Sequence, residues 1–395
     1  MPASSPSILK VWLNRFLAQV SRILPSSEGV AQGSGGGITV FLLPAHNGDA
    51  VLIEFHGNDG KPHFIWIDGG LVRSYHEELK DILQEFVRNG ELIDLMIVTH
   101  IDADHIGGIL AFVNDQDLPK DFVKQFWFNA GRTLDNQFGG QRKSSRDIDL
   151  QSIGIGSRSR SVSQGEKLED FLTRHGGWHD IPIQAGQEFT LYGARLILLS
   201  PNETSLRQLH KKWELEGDQA QTRQIAVSSQ KSSATLEELA RLPEKEDHAI
   251  PNGSSIAFIF ESNQRRVLFL GDAHPSVIVS ELEKLEVSSR KPLHLSGVKL
   301  SHHASQKSIS NDLLSMIRCQ NYMVLTDGSR YGLPDRETFA KILLHPKRKR
   351  SEQMRFVFNY SNQHLRDLFT EEEKKSHNFD CVYPANGEKG IWLEL

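Results

Sequence analysis

Apolar residues recur along this chain with two different periods, and the period changes at a glycine-rich break. Within residues 6–24, Leu9, Trp12, Phe16, Val20 and Ile23 fall three to four positions apart, with Lys10, Arg15 and Arg22 elsewhere. That spacing predicts an amphipathic helix. Gly33-Ser34-Gly35-Gly36-Gly37 follows as a flexible linker. From Ile38 short apolar runs take over. Ile38–Leu43, Ala50–Phe55 and His63–Ile67 predict strands separated by turns such as Asn58-Asp59-Gly60, and the third ends in Asp68-Gly69-Gly70. A helix is expected over His76–Asn89, capped by Gly90. A buried strand, Leu92–Thr99, then delivers His100, and Gly107–Phe112 has a helical pattern.

Further strands are expected at Phe126–Asn129, Leu196–Pro201, Ser255–Phe260, Arg266–Gly271, Val298–Ser301 and Tyr322–Thr326. Polar, weakly patterned stretches near 131–165 and 203–249 interrupt them, the second with helical pieces. Strands with helices between and after them predict layered α/β packing. The expected organisation is a helix and linker over 1–37, a main domain over 38–345 with those two insertions, and a C-terminal extension over 346–395 that is a candidate to complete the fold.

Composition narrows the picture. The chain has 395 residues, 38% of them hydrophobic, enough to bury a large core. Its two cysteines, Cys319 and Cys381, argue against a disulfide framework or a Cys-rich zinc site and fit a reducing cytosol. No run of 18 apolar residues and no secretory-type start is present, so the expectation is a cytoplasmic protein without a membrane span. A net charge of -5 excludes polyanion binding by overall charge. Arg142, Lys143, Arg146, Arg158 and Arg160, and the run Lys347-Arg348-Lys349-Arg350, are local basic segments of the kind that phosphate contacts need. A solvated face is the commoner fate of such a run. The N-terminal helix is expected to pack on the body, on another copy or on a protein partner.

The chemistry gathers after the strand at Leu92–Thr99. His100, Asp102, Asp104 and His105 place four ligand-type side chains within six positions. In an extended segment residues 100, 102 and 104 share a side, and His105 joins them as the chain turns into a helix. Buried carboxylates are costly without partners, and a divalent cation compensates them. Arg266–Leu270 ends in Gly271-Asp272, where Asp272 suits a bridging ligand, and Val298–Ser301 ends in His302-His303. Asp49 and Asp68 lie at two more strand ends and offer support. Sites of open α/β sheets sit at strand carboxyl ends. His76, His175, His210, His248 and His345 fit surface or hydrogen-bonded histidines.

The segment His100-Ile101-Asp102-Ala103-Asp104-His105, followed by Gly107-Gly108, resembles the signature of the metallo-β-lactamase superfamily. Asp102 stands where most members carry His. In this the chain is similar to the C-terminal domain of the competence DNA-uptake protein ComEC and its free-standing relatives. Asn47-Gly48-Asp49-Ala50, Ile67-Asp68-Gly69-Gly70, Leu199-Ser200-Pro201, Asn252-Gly253-Ser254-Ser255, Val267–Asp272 and His302-His303-Ala304-Ser305 resemble its other landmarks, with Ala304 in place of Gly. The superfamily's further His between the first motif and the bridging Asp has no counterpart except His179, in a poor context. Leu333 stands where the subfamily has a late His.

The resemblance implies a four-layer αβ/βα sandwich holding one or two divalent ions, zinc or manganese. It implies His100 and Asp102 on one ion, Asp104, His105 and His302 on the other, and Asp272 between them. Asp104 would also accept a proton, His303 would donate one to the leaving oxygen, and Ser305, Lys307 and Ser308 would hold a substrate phosphate. The activity implied is a phosphodiesterase or nuclease acting on DNA through a metal-activated water. Two alternatives stand beside it: a small ester or lactone hydrolase on the same site, and a metal-poor regulatory or interaction module of a bacterial defence complex.

Overall fold

The computed structural model describes residues 37–139, 160–215, 234–385 and 388–395. The N-terminal helix, Arg142, Lys143, Arg146 and Arg158, and the middle of the second insertion lie outside the described residues.

The chain first forms β1 (Ile38–Leu42), β2 (Val51–His56), β3 (Pro62–Ile67), β4 (Leu95–Ile97) and β5 (Phe126–Trp127). Then come β6 (Glu188–Leu191), β7 (Ala194–Ser200), β8 (Ala257–Ser262), β9 (Arg265–Phe269), β10 (Leu293–His294) and β11 (Gly297–Lys299). The last are β12 (Ile317–Arg318), β13 (Asn321–Val324), β14 (Met354–Phe358), β15 (Phe379–Val382) and β16 (Ile391–Glu394). One sheet has the order β16-β1-β2-β3-β4-β5 and the other β15-β14-β13-β11-β9-β8-β7-β6, while β10 and β12 pair separately. The three strands after residue 345 therefore serve both sheets: β14 and β15 extend the second, and β16 returns antiparallel to β1.

The central strands of both sheets are buried on both faces, so they are apolar runs rather than alternating ones, whereas the edge strands β6, β15 and β16 keep exposed positions. Successive side chains point into different cores. On β2, Val51, Ile53 and Phe55 fill the space between the sheets, whereas Leu52 faces outward. On β9, Val267 and Phe269 face inward and Leu268 outward. The outward face of the first sheet is covered by α1 (Lys80–Asn89), α2 (Ala103–Asn114), α3 (Gly131–Phe138), α4 (Arg160–His175) and α5 (Glu203–Leu215). The second is covered by α6 (Leu236–Ala240), α7 (Pro275–Lys284), α8 (Asn311–Met316) and α9 (Arg336–Leu344). Helix, sheet, sheet and helix make the four layers expected.

Several boundaries differ from the sequence reading. The helix expected from His76 starts at Val72 and passes through a wider π turn over Tyr75–Leu79. The strand expected over Leu92–Thr99 pairs regularly only over Leu95–Ile97; Ile93 forms an isolated bridge before it, and beyond Val98 the chain turns to present side chains to the site. The polar stretches carry helices at their described ends, α3 and α4 for the first, α5 and α6 for the second. Both cysteines are free thiols, and no helix among the described residues is long and apolar enough to cross a membrane.

Candidate metal centre

The carboxyl ends of β3, β4, β9 and β11 meet at one edge of the sandwich, and the sequence explains each end. Asp68, after β3, adopts a positive φ of 55° and accepts hydrogen bonds from the Thr99 backbone N–H (2.8 Å) and hydroxyl (2.7 Å), which ties the β3 and β4 ends together. His100 follows. Asp102 is extended at the N-cap position of α2 (φ −71°, ψ 143°), so the motif changes from extended to helical inside itself. That change brings Asp104 and His105 round beside His100. Helix α2 can approach the Asp68-Gly69-Gly70 turn because residue 108 is glycine: a Cβ there would lie 1.9 Å from the Gly69 carbonyl oxygen. Gly108 N–H donates to Gly70 O (2.9 Å) and Gly69 N–H to His105 O (2.8 Å) across that contact.

From the second sheet, β9 leads through Gly271 (φ 49°) to Asp272, whose backbone N–H donates to the Ser255 hydroxyl (3.0 Å). β11 leads to His302, His303 and Ala304, three consecutive residues in the left-handed region (φ 49°, 54° and 64°). That bend aims the two histidines into the site.

The histidines share one arrangement. His105 Nδ1 is held by Asp68 (2.8 Å), His303 Nδ1 donates to the Leu325 carbonyl (2.9 Å), and His100 Nδ1 meets the Thr99 hydroxyl (3.1 Å). His302 Nδ1 lies 3.2 Å from Asp247. Each is left with Nε2 turned toward the carboxylates, as in histidines that ligate metals through one nitrogen and are oriented through the other. Asp272 stands between two sets. Its Oδ2 is 3.8 Å from His100 Nε2 and 4.0 Å from His302 Nε2, and its Oδ1 is 3.4 Å from His105 Nε2. Asp102 Oδ2 is 4.0 Å from His100 Nε2, and Asp104 Oδ2 is 3.7 Å from His303 Nε2. Two donors each about 2.1 Å from one tetrahedral ion stand roughly 3.4 Å apart, so these separations have the scale of shared coordination.

A test of fit comes from satisfaction. His100 Nε2, His105 Nε2, His303 Nε2 and Asp272 Oδ1 are buried without a hydrogen-bond partner. Buried polar atoms are nearly always paired, and four orphans facing one another are what a divalent cation would satisfy. Three triads bring their donor atoms within 4.8 Å: His100, His105 and Asp272; Asp104, His105 and His303; Asp49, Asp68 and His105.

The electrostatics follow from that crowding. Burial and the neighbouring His105 charge push His100 down to about 4. Burial opposes protonation of His303 too, but the Asp49 carboxylate and the contact with Asp104 raise it to about 10. Burial would raise Asp272 and Asp104; the imidazoles around them overcome it and hold both carboxylates below the usual range.

The structure brings His100, Asp102, Asp104, His105, Asp272, His302 and His303 together. It exchanges the places of two of them. His303, expected at the leaving oxygen, is buried beside Asp104 and His105, and His302, expected there, sits more openly at the rim with its side chain 28% exposed. The Ser305 hydroxyl accepts from Lys307 N–H (3.3 Å), Lys307 is exposed, and the buried Ser308 hydroxyl has no partner. The ring contacts of His179 are with Trp127 and Phe189. The run Lys347–Arg350 lies at the amino-terminal ends of β13 and β14, opposite the site, so it does not serve this centre; Arg348 is engaged with the Leu343, His377 and Asn378 carbonyls.

Some neighbours were not legible. Ser161, at the start of α4, donates to Asp102 Oδ1 (3.1 Å), so the first insertion ends at the site. Asp247, from the second insertion, holds His302. Lys299 is buried in β11, where its Nζ contacts the Asp49 carboxylate and donates to Gly271 O (3.0 Å). A lone lysine within the apolar run Val298–Leu300 was the available signal for it.

No family model matches the chain, and no curated protein matches it. Among solved structures it is similar to a point mutant of the β-hydroxylase CmlA (12% identity, TM-score 0.38), covering 100% of this chain and 60% of that one. It is similar to Zn(2+)-bound PqqB from Methylobacterium extorquens (10% identity, TM-score 0.39), covering 90% of this chain and 100% of that one. A long form RNase Z from yeast gives 10% identity and a TM-score of 0.31 over 81% of this chain and 36% of that one. With every score this low, the site's own geometry carries the functional reading.

Proposed function

We propose that this chain is a metal-dependent hydrolase of the metallo-β-lactamase superfamily, similar to the ComEC domain, and that it cleaves phosphodiesters. The observation that carries the hydrolase reading is the set of four orphaned donor atoms, supplied by both sheets at their strand carboxyl ends. His100, Asp102 and His302 would hold one ion; Asp104, His105 and His303 would hold a second; the two oxygens of Asp272 would face one each. His302 thereby takes the place of the His that the superfamily has between its first motif and the bridging Asp. A pair of divalent ions supplies Lewis acidity and a water of lowered pKa.

The protein's own groups do the rest. Asp247 and Leu325 O fix His302 and His303 through Nδ1. Asp104, with its side chain 19% exposed, is open enough to take a proton from an attacking water at its carboxylate. Lys307, exposed after the left-handed bend, would offer a cation to a substrate phosphate, while Ser305 shapes the turn and the Ser308 hydroxyl lies buried behind it. The carboxylate at Asp102, the hardness of a set built from Asp and His, and the motif resemblance support phosphodiesters over lactams. Zinc and manganese both suit these donors.

Two measurements test the reading. Elemental analysis of the purified chain is expected to find up to two divalent ions per chain, lost in Asp272→Ala; a folded protein that takes up neither zinc nor manganese overturns the metal assignment. Incubation with single- and double-stranded DNA, RNA, bis-p-nitrophenyl phosphate and a lactone panel is expected to show manganese- or zinc-dependent phosphodiester cleavage that Asp104→Ala abolishes. Cleavage of lactones alone would move the chain to the small-ester alternative.

A further inference from the structure

The basic run that the metal centre leaves unused lines a concavity of its own. At the amino-terminal ends of the second sheet's parallel strands lies a cavity of about 760 Å³. Arg265, Arg318, Lys347, Arg348, Lys349 and Arg355 line it against Glu352 and Glu394. This is a marked reversal in a chain whose net charge is -5. Its cations are poorly neutralised. Lys349 is paired with Glu352 at 3.2 Å. Among the described residues Arg265, Arg318, Lys347, Arg348 and Arg355 have no carboxylate partner.

The guanidinium groups are instead positioned by neutral oxygens. Arg318 donates to the Ser315 and Ile317 carbonyls, Arg355 to Asn321 Oδ1 (2.8 Å), and Arg348 to three backbone carbonyls, with its Nε buried and unpartnered. Such contacts hold the forks in place without cancelling their charge, which is how a protein prepares a site for an anion. Burial lowers His345 at the wall, and the charges of Arg318 and Lys347 lower it further. The volume lies within the roughly 300–1,000 Å³ of small-ligand sites. Leu314, Ile317 and Ile342 add apolar lining, and Gln320 and Asn321 add neutral polar groups.

We propose that this basin binds a small phosphate-bearing anion of nucleotide size. Arginine forks match phosphate oxygens in pairs, lysine adds a point charge, and the apolar lining suits a ring beside the phosphates. The basin is separated from the metal centre by the length of β9 and its turn, roughly 20 Å at about 3.3 Å per residue, so this ligand is not the substrate of that centre.

Isothermal titration and melting of the full chain with sodium tripolyphosphate, with ATP and with a single-stranded DNA 12-mer test this. Tripolyphosphate and ATP are each expected to bind one per chain and to raise the melting temperature. Arg265→Glu/Lys347→Glu, at two exposed positions without carboxylate partners, is expected to weaken both at least tenfold while melting like the parent without ligand. Asp104→Ala, altered at the other end, is expected to bind both as the parent does. ATP binding without tripolyphosphate binding would locate recognition in the ring, and tripolyphosphate without ATP would remove the ring contact; either overturns the nucleotide-sized ligand. Absence of binding at millimolar anion, equal binding by the charge-reversed protein, or loss of binding in Asp104→Ala overturns the basin. Tighter binding of the 12-mer than of either small anion would make it a nucleic-acid groove.

Discussion

At the scale of single residues, one buried lysine has consequences for the whole site. Lys299 places an ammonium inside the fold, a costly burial that only a partner offsets. Asp49 is that partner. Burial would raise its carboxyl, but Lys299 and then His303 hold it near 2. Asp49 in turn lies 3.2 Å from His303 Nδ1, and Lys299 grips the carbonyl just before Asp272. Removing one member of such a pair typically costs about 3–5 kcal/mol, because the other charge stays buried. Lys299→Met is therefore expected to lower the melting temperature and the metal content together, and Lys299→Met/Asp49→Asn to recover most of the stability. A single variant that melts like the parent would show that the pair does not hold the site.

Glu54 makes a pH-dependent prediction of the opposite kind. Burial first, and then Glu91 and Glu394, raise its carboxyl to about 7. The folded state keeps this proton after the unfolded chain has lost it, so the stability it contributes is present below about pH 4.5 and is lost as pH rises to about 7. The penalty above that is on the order of 3 kcal/mol. Glu54→Gln should raise the denaturation midpoint at pH 8 and leave it little changed at pH 4.5; equal midpoints at pH 8 would contradict it.

At the scale of elements, the site depends on how closely α2 sits on the turn after β3. Gly→Ala inside an exposed helix usually gains about 1 kcal/mol from propensity alone. At Gly108 the expectation reverses, since the added Cβ meets the Gly69 carbonyl at 1.9 Å and the helix carrying Asp104 and His105 must move. Gly108→Ala should weaken divalent-ion binding at least tenfold by titration; parent-like affinity would mean that the helix position is not limiting. The bend after β11 offers a contrast. Ala304 has φ 64°, where an L-residue costs about 1–2 kcal/mol, and glycine would relieve that while giving up a buried methyl group of comparable value. Ala304→Gly should melt within a few degrees of the parent and keep its metal, whereas Ala304→Val should lose both.

At the scale of the whole molecule, the centre lies at the seam of the two sheets. His100, Asp102, Asp104 and His105 come from the first, and Asp272, His302 and His303 from the second. A cation bound there joins both halves and stabilises the fold by mass action, about 3–4 kcal/mol at a few hundred times its dissociation constant. Chelation should lower the melting temperature of the parent by several degrees and that of Asp272→Ala much less; no shift in the parent would dissociate the centre from fold stability.

The same scale separates what was legible from what was not. By itself the sequence determined the loop His100–His105, the strand ends at Asp272 and His302-His303, and the layered class of the fold, because ligand spacing and apolar period are local properties of a chain. Only the tertiary structure decided which imidazole lies beside Asp104, that Asp247 and Lys299 belong to the site, and that Lys347–Arg350 faces away from it. Those facts depend on contacts between residues far apart in sequence, and a two-sided sheet gives its strands the same apolar pattern whichever end their neighbours meet.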